Sequence, residues 1–368
     1  MARRANPLDR KLLRLQSPSY PWVMQFHLTL ADPIDRQTLA DALVNLSNAR
    51  PDVACRLEPE DLTWRPGVPI GLVGDSSLDA ALDLDHTAIR VLWHSPESIE
   101  FHINHAFGDG VGCIALFEDL LRVIRGEPLP DRIALSEDDF AELRTVRVRA
   151  RAAVWLKLLR LHATRTTQWP GGEHTHTTVR TVAMDALRSR RGESSTSNDA
   201  YVAAMHRAIA TVLDARLPTR VSVPVDLRPF VGERTGLGNG VINATTILPR
   251  SDRPLHLDAD EIALQLRPQR ERDHLGALLS AYLRVVPEGP PRAEDVRRRI
   301  RWPDSGVTSN VGVIDVEGLD VLWASPPAQN IIGAALSIND ETATIAVRAR
   351  GPAELIEAVA DHLVSELG

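Results

Sequence analysis

A histidine and an Asp-Gly pair stand close together in this chain and could carry acid–base chemistry. His105 ends an apolar stretch that begins at Phe101, and Asp109 and Gly110 precede a run of apolar residues at helical spacing. The pattern predicts a strand that ends at His105 and a helix that begins after a sharp turn, which Gly110 would tolerate better than most residues. Histidine has an ordinary pKa of about 6.5, so a rigidly held histidine can accept and return a proton near neutral pH.

These residues alone are open to two interpretations. In the first, His105 is a general base. In the second, His105 is a core histidine with satisfied hydrogen bonds, and Asp109 belongs to an ordinary Asp-Gly turn. One histidine and one aspartate at this spacing are a weak signal, so both interpretations stay open at this point.

Alternating strand and helix patterns surround the motif. Apolar alternation or short apolar runs predict strands at 23–30, 88–93, 98–105, 179–185, 221–227, 240–248, 307–315 and 331–349. Apolar residues three or four apart predict helices between 35 and 51, after 110, and at 137–164, 198–215, 258–286 and 352–368. Ser197 is expected to cap the helix at 198–215. Helices that follow strands favour an α/β fold built from packed layers.

Composition excludes several classes of protein. At 368 residues, with 43% apolar residues, the chain is longer than most chains that fold around a single hydrophobic core, so two halves are expected. The net charge of −7 argues against nucleic-acid binding, which needs a basic surface. The two cysteines, Cys55 and Cys113, lie in apolar contexts and predict neither a disulfide framework nor a zinc site.

The remaining patterns concern location and boundaries. The basic start at Met1 is not followed by an apolar segment, and no apolar run is long enough to span a membrane, so we expect a cytoplasmic protein. A polar stretch broken by Pro and Gly predicts a linker at 167–178 between halves at 1–166 and 179–368. His174 and His176 lie in this linker without a third ligand nearby, which favours a solvated loop over a metal site.

Four motifs give the chain a resemblance to a known superfamily. They are Asn104-His105-Ala106-Phe107-Gly108-Asp109-Gly110, Ser197-Asn198-Asp199, Val223-Pro224-Val225-Asp226-Leu227-Arg228 with the later pair Gly238-Asn239, and Thr308-Ser309-Asn310-Val311-Gly312. In these the chain resembles the acyltransferases related to chloramphenicol acetyltransferase, which include peptide-synthetase condensation domains, polyketide-associated acyltransferases and wax ester synthases. The resemblance covers essentially the whole chain. Asn104 departs from the HHxxxDG motif, whose first position is usually histidine.

The resemblance implies both the fold and the roles of the motif residues. It implies an α/β fold of two similar two-layer halves in a V, around a central tunnel with His105 at its centre. His105 would be the general base. Asp109, although part of the catalytic motif, would hold the loop by pairing with Arg228, because an Arg–carboxylate fork is bidentate and rigid. The alternative for Arg228 is a solvated charge at a strand end. Gly110, Asn104 and Asn239 would be structural residues at the site.

Ser309 completes the catalytic set that the resemblance implies. Its hydroxyl could stabilise an oxyanion, with Asn310 or a backbone N–H sharing the task. Alternatively, Ser309 and Asn310 close a strand through side-chain-to-backbone hydrogen bonds, as such residues often do. The two interpretations stay open.

The same resemblance implies the partners. The acyl donor would be an acyl-coenzyme A or an acyl-carrier protein thioester, and the acceptor a small alcohol or amine that attacks it directly, without an acyl-enzyme. No permanently bound cofactor, metal or nucleic acid is expected, and the protein should be a monomer. A set of basic residues in and beside the helix predicted at 137–164 could meet coenzyme A phosphates, a carrier protein or a membrane surface, or could simply be solvated. These residues are Arg144, Arg147, Arg149, Arg151, Lys157, Arg160 and Arg165.

Two classes of function remain after this comparison. One is an acyltransferase of secondary metabolism or lipid tailoring, or a related condensation-type enzyme that forms amides or rings. The other is a catalytically silent relative that binds carrier proteins. Retention of His105, Asp109 and Arg228 favours an enzyme. The chain lacks the PLW tripeptide of wax ester synthases and the DFGWG motif of plant acyltransferases, so neither subfamily is assigned.

Overall fold

Polar motifs that lie far apart in the sequence meet where two halves of the molecule join. The computed structural model describes residues 3–16, 22–58, 62–73, 82, 84, 86–232, 235–285 and 304–368. Within these residues, no helix has the length and apolar character needed to cross a bilayer.

The strands, labelled in chain order, are as follows. They are Arg3–Arg4 (β1), Val23–Leu30 (β2), Cys55–Glu58 (β3), Thr63–Pro66 (β4), Leu72–Val73 (β5), Ile89–Ser95 (β6), Ser98–Asn104 (β7), Thr175–Ala183 (β8), Thr219–Asp226 (β9), Val241–Leu248 (β10), Gly306–Val313 (β11), Leu319–Ser325 (β12), Ile332–Asn339 (β13) and Thr342–Arg350 (β14).

The helices are labelled in the same way. They are Pro7–Leu15 (α1), Arg36–Ala49 (α2), Gly110–Arg125 (α3), Asp139–Leu143 (α4), Val148–Ala163 (α5), Met184–Ser189 (α6), Ser197–Val212 (α7), Arg228–Val231 (α8), Leu255–Leu266 (α9), Arg272–Val285 (α10) and Ala353–Leu367 (α11), with a 3₁₀ turn at Arg267–Arg270.

Two large sheets organise the halves. The N-terminal sheet has the order β12-β2-β7-β6-β5, and the C-terminal sheet has the order β10-β9-β11-β13-β14-β8. In the C-terminal sheet β11 runs parallel to both of its neighbours, β9 and β13. The other neighbouring strands of this sheet pair antiparallel. A small sheet, β1-β4-β3, lies beside the N-terminal one. This arrangement confirms the predicted α/β fold of two halves.

Each of the two large sheets has its own apolar core, because the apolar residues of its strands and of the covering helices lie on the faces that meet. In the N-terminal half, Phe117 of α3 packs on Phe26 and Phe101, with ring centroids 5.2 and 4.8 Å apart. In the C-terminal half, α7, α9 and α11 cover the sheet with fully buried residues such as Ile209 and Leu363. These packed side chains thus hold β7, which leads to His105, and β9, which leads to Arg228.

One strand crosses from the C-terminal part of the chain into the N-terminal sheet. β12 pairs antiparallel with β2, with Leu322 opposite Leu28. On its other side, the Asn339 side chain of β13 accepts a hydrogen bond from the Leu322 N–H at 3.0 Å and donates one to the Leu322 carbonyl at 3.2 Å. A division of the chain at the predicted linker, 167–178, therefore places β12 in the C-terminal half, although β12 belongs to the N-terminal sheet.

Several boundaries differ from those predicted. The helix predicted at 137–164 is two helices, α4 and α5, and the strand predicted at 331–349 is the hairpin β13–β14, which turns at Asp340 with a φ of +49°. Strand β12 was not predicted, and β8 begins inside the predicted linker. The cap of α7 is Thr196, not Ser197: the Thr196 hydroxyl accepts from the Asp199 N–H, and the Asp199 carboxylate accepts from Thr196 in a capping box.

Candidate active site

His105 lies just beyond the end of β7 and is fixed by its backbone. Its N–H donates to the Trp22 carbonyl at 2.7 Å, and its carbonyl accepts from Asn239 Nδ2 at 2.7 Å. The ring Nδ1 lies 3.2 Å from the Gly108 carbonyl oxygen, which can only accept a hydrogen bond. We therefore assign the proton to Nδ1, and Nε2 carries the lone pair.

The surroundings of His105 favour its neutral form. Burial lowers the pKa of the ring below its ordinary value, and the charge of Asp109 only partly opposes this effect. The Trp22 ring, at a centroid distance of 6.1 Å, forms part of this environment. A neutral imidazole with its lone pair on Nε2 is the form that a general base requires.

Asp109 forms the predicted fork with Arg228 at the junction of the two halves. Arg228 donates to Asp109 Oδ1 at 2.8 Å and to Oδ2 at 2.9 Å, with side chains only 2% (Asp109) and 7% (Arg228) exposed. Asp109 Oδ1 also accepts from the Gly112 N–H at 3.1 Å, and Oδ2 from the Gly240 N–H at 2.7 Å. All four acceptor positions of the carboxylate are used. Asp109 is thus a positioning residue and cannot also serve the substrate.

Arg228 is held in its charged form by the same contacts. Burial alone would lower the pKa of Arg228, but the charges of Asp109 and Asp226, with the hydrogen bonds to both carboxylates, outweigh burial and raise the pKa. Asp226 Oδ1 at 3.2 Å and the Gly238 carbonyl at 3.1 Å accept further bonds from the guanidinium. Arg228 is therefore buried and paired, and the interpretation as a solvated strand-end charge was wrong.

Gly110 and Asn104 have different local roles. Gly110 is the first residue of α3, does not have a positive φ, and a Cβ there would meet Val311 at an ordinary 3.8 Å. The expectation that the turn needs the freedom of glycine was therefore wrong. Asn104 is structural: its Oδ1 accepts from the Ala106 N–H at 2.9 Å, and its Nδ2 donates to Gln16 Oε1 at 2.8 Å.

Asn239 connects His105 to the N-terminal helix, a contact that sequence analysis did not find. Its Nδ2 donates one hydrogen to the His105 carbonyl and the other to Asp9 Oδ1 at 2.8 Å. Asp9 Oδ1 also accepts from the Asn239 N–H at 2.9 Å, while Asp9 Oδ2 pairs with Arg3 at 3.0 Å. Asp9 belongs to a capping box with Asn6, a sequence signal that predicts a helix start but not a partner 230 residues away.

Ser309 and Asn310 are placed on β11, in the C-terminal sheet. Asn310 lies inside the strand, where the pairing of β11 with β13 shifts register: its Oδ1 accepts from the Gly312 N–H at 2.9 Å, and its Nδ2 donates to Asn198 Oδ1 at 3.1 Å. Ser309 is half-buried. The described residues that line the cavity beside His105 include neither Ser309 nor Asn310, so their role as oxyanion donors stays a prediction.

A cavity of about 210 Å³ lies between the halves, beside His105. Its apolar wall includes Leu8 and Trp22 from the N-terminal part and Leu278 of α10, and Ser222 and Thr245 add hydroxyl groups. Cavities of this kind, mostly apolar with a few polar groups, are typical of small-molecule sites. The His105 ring is thus adjacent to a space that can hold a small substrate.

Two further histidines do not line the cavity beside His105. His206 is buried, with Nδ1 2.7 Å from the Thr219 hydroxyl and Nε2 2.8 Å from that of Thr246, so it is a packed core residue. His102 is buried on β7 and binds Glu100 Oε1 at 2.8 Å. Among the described residues, no group of three or more His, Cys, Asp and Glu is arranged to hold a metal ion.

Comparison with known proteins shows the fold. Neither a protein-family model nor a curated protein matches the sequence. The first condensation domain of the calcium-dependent antibiotic synthetase, in complex with a substrate analogue, matches with a TM-score of 0.70 at 15% identity, over 100% of this chain and 96% of that one. Trichothecene 15-O-acetyltransferase from Fusarium sporotrichioides matches with 0.68 at 14% identity, over 99% and 95%. The epimerization domain from the third module of tyrocidine synthetase B matches with 0.67 at 14%, over 100% and 96%.

These likenesses confirm the fold that the motifs implied. The chain has the two-half architecture of condensation domains and of an acetyltransferase, over nearly the full length of each. Since one fold can carry different reactions, the activity must be argued from the residues around His105.

Proposed function

We propose that this protein, which has the condensation-domain fold, transfers an acyl group from a thioester to a hydroxyl or amine, with His105 as general base. The observation that carries the proposal is the His105 ring. Its Nδ1–H is held by the Gly108 carbonyl, and Nε2 has no hydrogen-bond partner among the residues described. A lone pair held beside a substrate-sized cavity can remove the proton of an attacking acceptor.

In the proposed reaction, His105 carries one proton while one bond to the carbonyl carbon forms and another breaks. The acceptor oxygen or nitrogen attacks the thioester carbonyl carbon while its proton moves to His105 Nε2. The tetrahedral intermediate then collapses, the carbon–sulfur bond breaks, and His105 returns the proton to the leaving thiolate. A general base of this kind contributes about 10²–10⁴ in rate, and binding both substrates together contributes several kcal/mol more.

Direct attack is favoured over an acyl-enzyme because the neighbouring thiol is a poor nucleophile. Cys113, on α3, is fully buried, and burial together with the charge of Asp109 raises its pKa well above the ordinary value. We therefore expect sequential kinetics, with intersecting double-reciprocal lines when both substrates are varied. Parallel lines, or a stable increase in protein mass with acyl donor alone, would contradict direct attack.

The co-substrates are proposed only by class. The donor is an acyl-coenzyme A or an acyl-carrier protein thioester, and the acceptor is a small alcohol or amine. Exposed arginines of α5, such as Arg149 and Arg160, would suit phosphates or an acidic carrier protein. Amide formation, ring closure and carrier-protein binding without turnover are the competing functions.

Mass spectrometry of reaction mixtures tests this proposal. The protein is incubated with a panel of acyl-coenzyme A and acyl-carrier thioesters and mixed alcohols and amines, while released thiol is measured in parallel. A new ester or amide, with thiol release that depends on the acceptor, is the expected result. Carrier-protein binding without thiol release across the panel would favour the catalytically silent alternative.

A further inference from the structure

Two basic side chains from different helices line the cavity beside His105. Lys157 lies on α5 and His274 on α10, and both are half-buried in its wall. The chain has only two lysines among its 42 lysines and arginines. The other lysine, Lys11 of α1, is buried with its ammonium against the ring of Tyr282, which also lines the cavity. The wall formed by α5 and α10 therefore contributes an ammonium and an imidazole to the cavity.

Among the residues that the structure describes, no acidic group forms an ion pair with Lys157. Neither Lys157 nor His274 has a hydrogen bond or ion pair with any residue in the described part of the chain. Burial alone lowers the pKa of Lys157 to about 8, without an opposing carboxylate. Asp304 also lines the cavity, but its carboxylate accepts a hydrogen bond from the Ser222 hydroxyl at 2.8 Å, and its charge acts on Arg220 and not on Lys157.

The two side chains act on one another. Burial, followed by the charge of Lys157, lowers the pKa of His274 to about 4. At neutral pH the pair therefore consists of an ammonium and a neutral imidazole, which together offer N–H donors and one positive charge. Burying a cation without a partner is costly, and an anionic ligand would remove that cost.

We propose that Lys157 and His274 form a subsite for the carboxylate of a substrate, so that this enzyme acts on an acyl chain or an acceptor that carries a free acid group. The inference rests on the proposed function in that the ligand is taken to be a substrate of the transfer. Because His105 and Lys157 line the same cavity of about 210 Å³, the anion lies within one small molecule of the reacting atom. The phosphate of a pantetheine arm lies the whole arm's length from its thioester and fits this spacing poorly.

Equilibrium binding measured by calorimetry tests the subsite without turnover. The first arm compares S-succinyl-pantetheine with S-butyryl-pantetheine, and the second compares 4-hydroxybutyrate with 1-butanol. A third arm compares pantetheine 4′-phosphate with pantetheine. Each is run on the wild type, on Lys157→Met and Lys157→Gln, and on Arg188→Met as the control. Arg188 is exposed on α6 and pairs only with the exposed Asp185 in the described part of the chain.

We expect the acid-bearing probe of the first or second arm to bind about tenfold more tightly than its neutral partner, as one charge-assisted hydrogen bond provides. That preference should be lost in both Lys157 variants and kept in Arg188→Met. A preference in the first arm assigns the carboxylate to the acyl chain, and one in the second assigns it to the acceptor. Absence of both preferences, or a Lys157-dependent preference in the phosphate arm alone, overturns the inference.

NMR of the lysine side chains gives a second readout. With two lysines in the chain, isotope-labelled lysine yields two side-chain signals, and Lys157→Met assigns one of them. The Lys157 signal should shift when the acid-bearing probe is added, and an unshifted signal would overturn the subsite. If the shift and the preference occur but no thioester is turned over, the subsite stands and the acyl-transfer proposal fails.

Discussion

Two sets of titratable side chains lie near His105, one satisfied by its partners and one without a partner among the described residues. At the junction, Asp109 and Arg228 satisfy one another, and the remaining acceptor positions of the carboxylate are filled by backbone N–H groups. In the cavity wall, Lys157 and His274 have no partner among the described residues. A saturated ion pair fixes structure, whereas an unsatisfied group beside a cavity is available to a ligand. His105 combines both conditions, since Nδ1 is held and Nε2 is not.

Removal of the unsatisfied nitrogen should have the largest effect. We expect His105→Ala to lower kcat by a factor of at least about 10², because the proton acceptor is lost, with little change in the free energy of unfolding. His174→Ala, at an exposed position far along the chain, is the matched control and should keep full activity. Retention of more than about a tenth of the wild-type rate by His105→Ala would rule out the general-base role.

Breaking the junction should act first on stability. Asp109→Ala or Arg228→Ala should each lower the free energy of unfolding by about 3–5 kcal/mol, since each leaves a buried charge without its partner. The double variant should cost less than the sum of the two. Denaturant titration of the wild type, the two single variants and the double variant measures the coupling. The control is Asp185→Ala, which breaks an exposed pair with Arg188 and should lower the free energy of unfolding by at most about 1 kcal/mol. Strict additivity would mean that the two side chains do not interact.

The link from α1 to His105 should act on kcat rather than on binding. Asn239→Ala removes the hydrogen bond to the His105 carbonyl, and Asp9→Ala removes the acceptor that orients Asn239. We expect each to lower kcat by about tenfold, because a small displacement of a base weakens proton transfer, with KM nearly unchanged. Asp9→Asn keeps one acceptor oxygen and should restore part of the rate. An increase in KM at constant kcat would show that the link serves binding instead.

His105 and Lys157 should also differ in the pH dependence of the kinetic constants, and this effect should be smaller than those of the substitutions above. Because burial lowers the pKa of His105, its base form persists below the usual range, and kcat/KM should fall only as the pH drops through that lowered value. Lys157, with a pKa of about 8, loses its charge as the pH rises through 8. KM for acid-bearing substrates should therefore rise above that pH, while KM for neutral analogues stays constant.

The titratable and charged groups around Lys157 set the control for that profile. The other titratable groups that line the cavity are His274, His105, Tyr282 and Asp304, and Lys11 lies against the Tyr282 ring. An alkaline rise in KM that survives in Lys157→Met would assign it to another of these groups.

The sequence was sufficient to predict those strands that follow from local apolar patterns and those contacts that follow from a motif. Strand β2 and the strand before His105 follow from apolar alternation, and the pairing of Asp109 with Arg228 follows from the resemblance. The break between α4 and α5 has no local Pro or Gly signal. There the chain at Leu143 packs against Gly276 of α10, so closely that a Cβ would not fit. Such a contact between distant segments has no trace in local periodicity.

The contacts that complete the candidate site were beyond prediction for the same reason. Asp9 and Asn239 are 230 residues apart, and a capping box does not indicate what its carboxylate meets outside the helix. Lys157 could be read only as one of several basic residues on a helix, because which side of α5 faces a cavity depends on α10. Predicted motifs thus located His105, and tertiary packing determined its surroundings.

The crossover strand has a consequence for synthesis of the protein. β2 is made early, yet its outer neighbour β12 begins only at Leu319. Until β12 has left the ribosome, the backbone N–H and C=O groups on one side of Val23–Leu30 have no strand to pair with. An unpaired strand edge of mainly apolar residues tends to pair with other chains. The nascent N-terminal half should therefore depend on chaperones for most of its translation, and fragments that end before residue 319 should aggregate rather than fold.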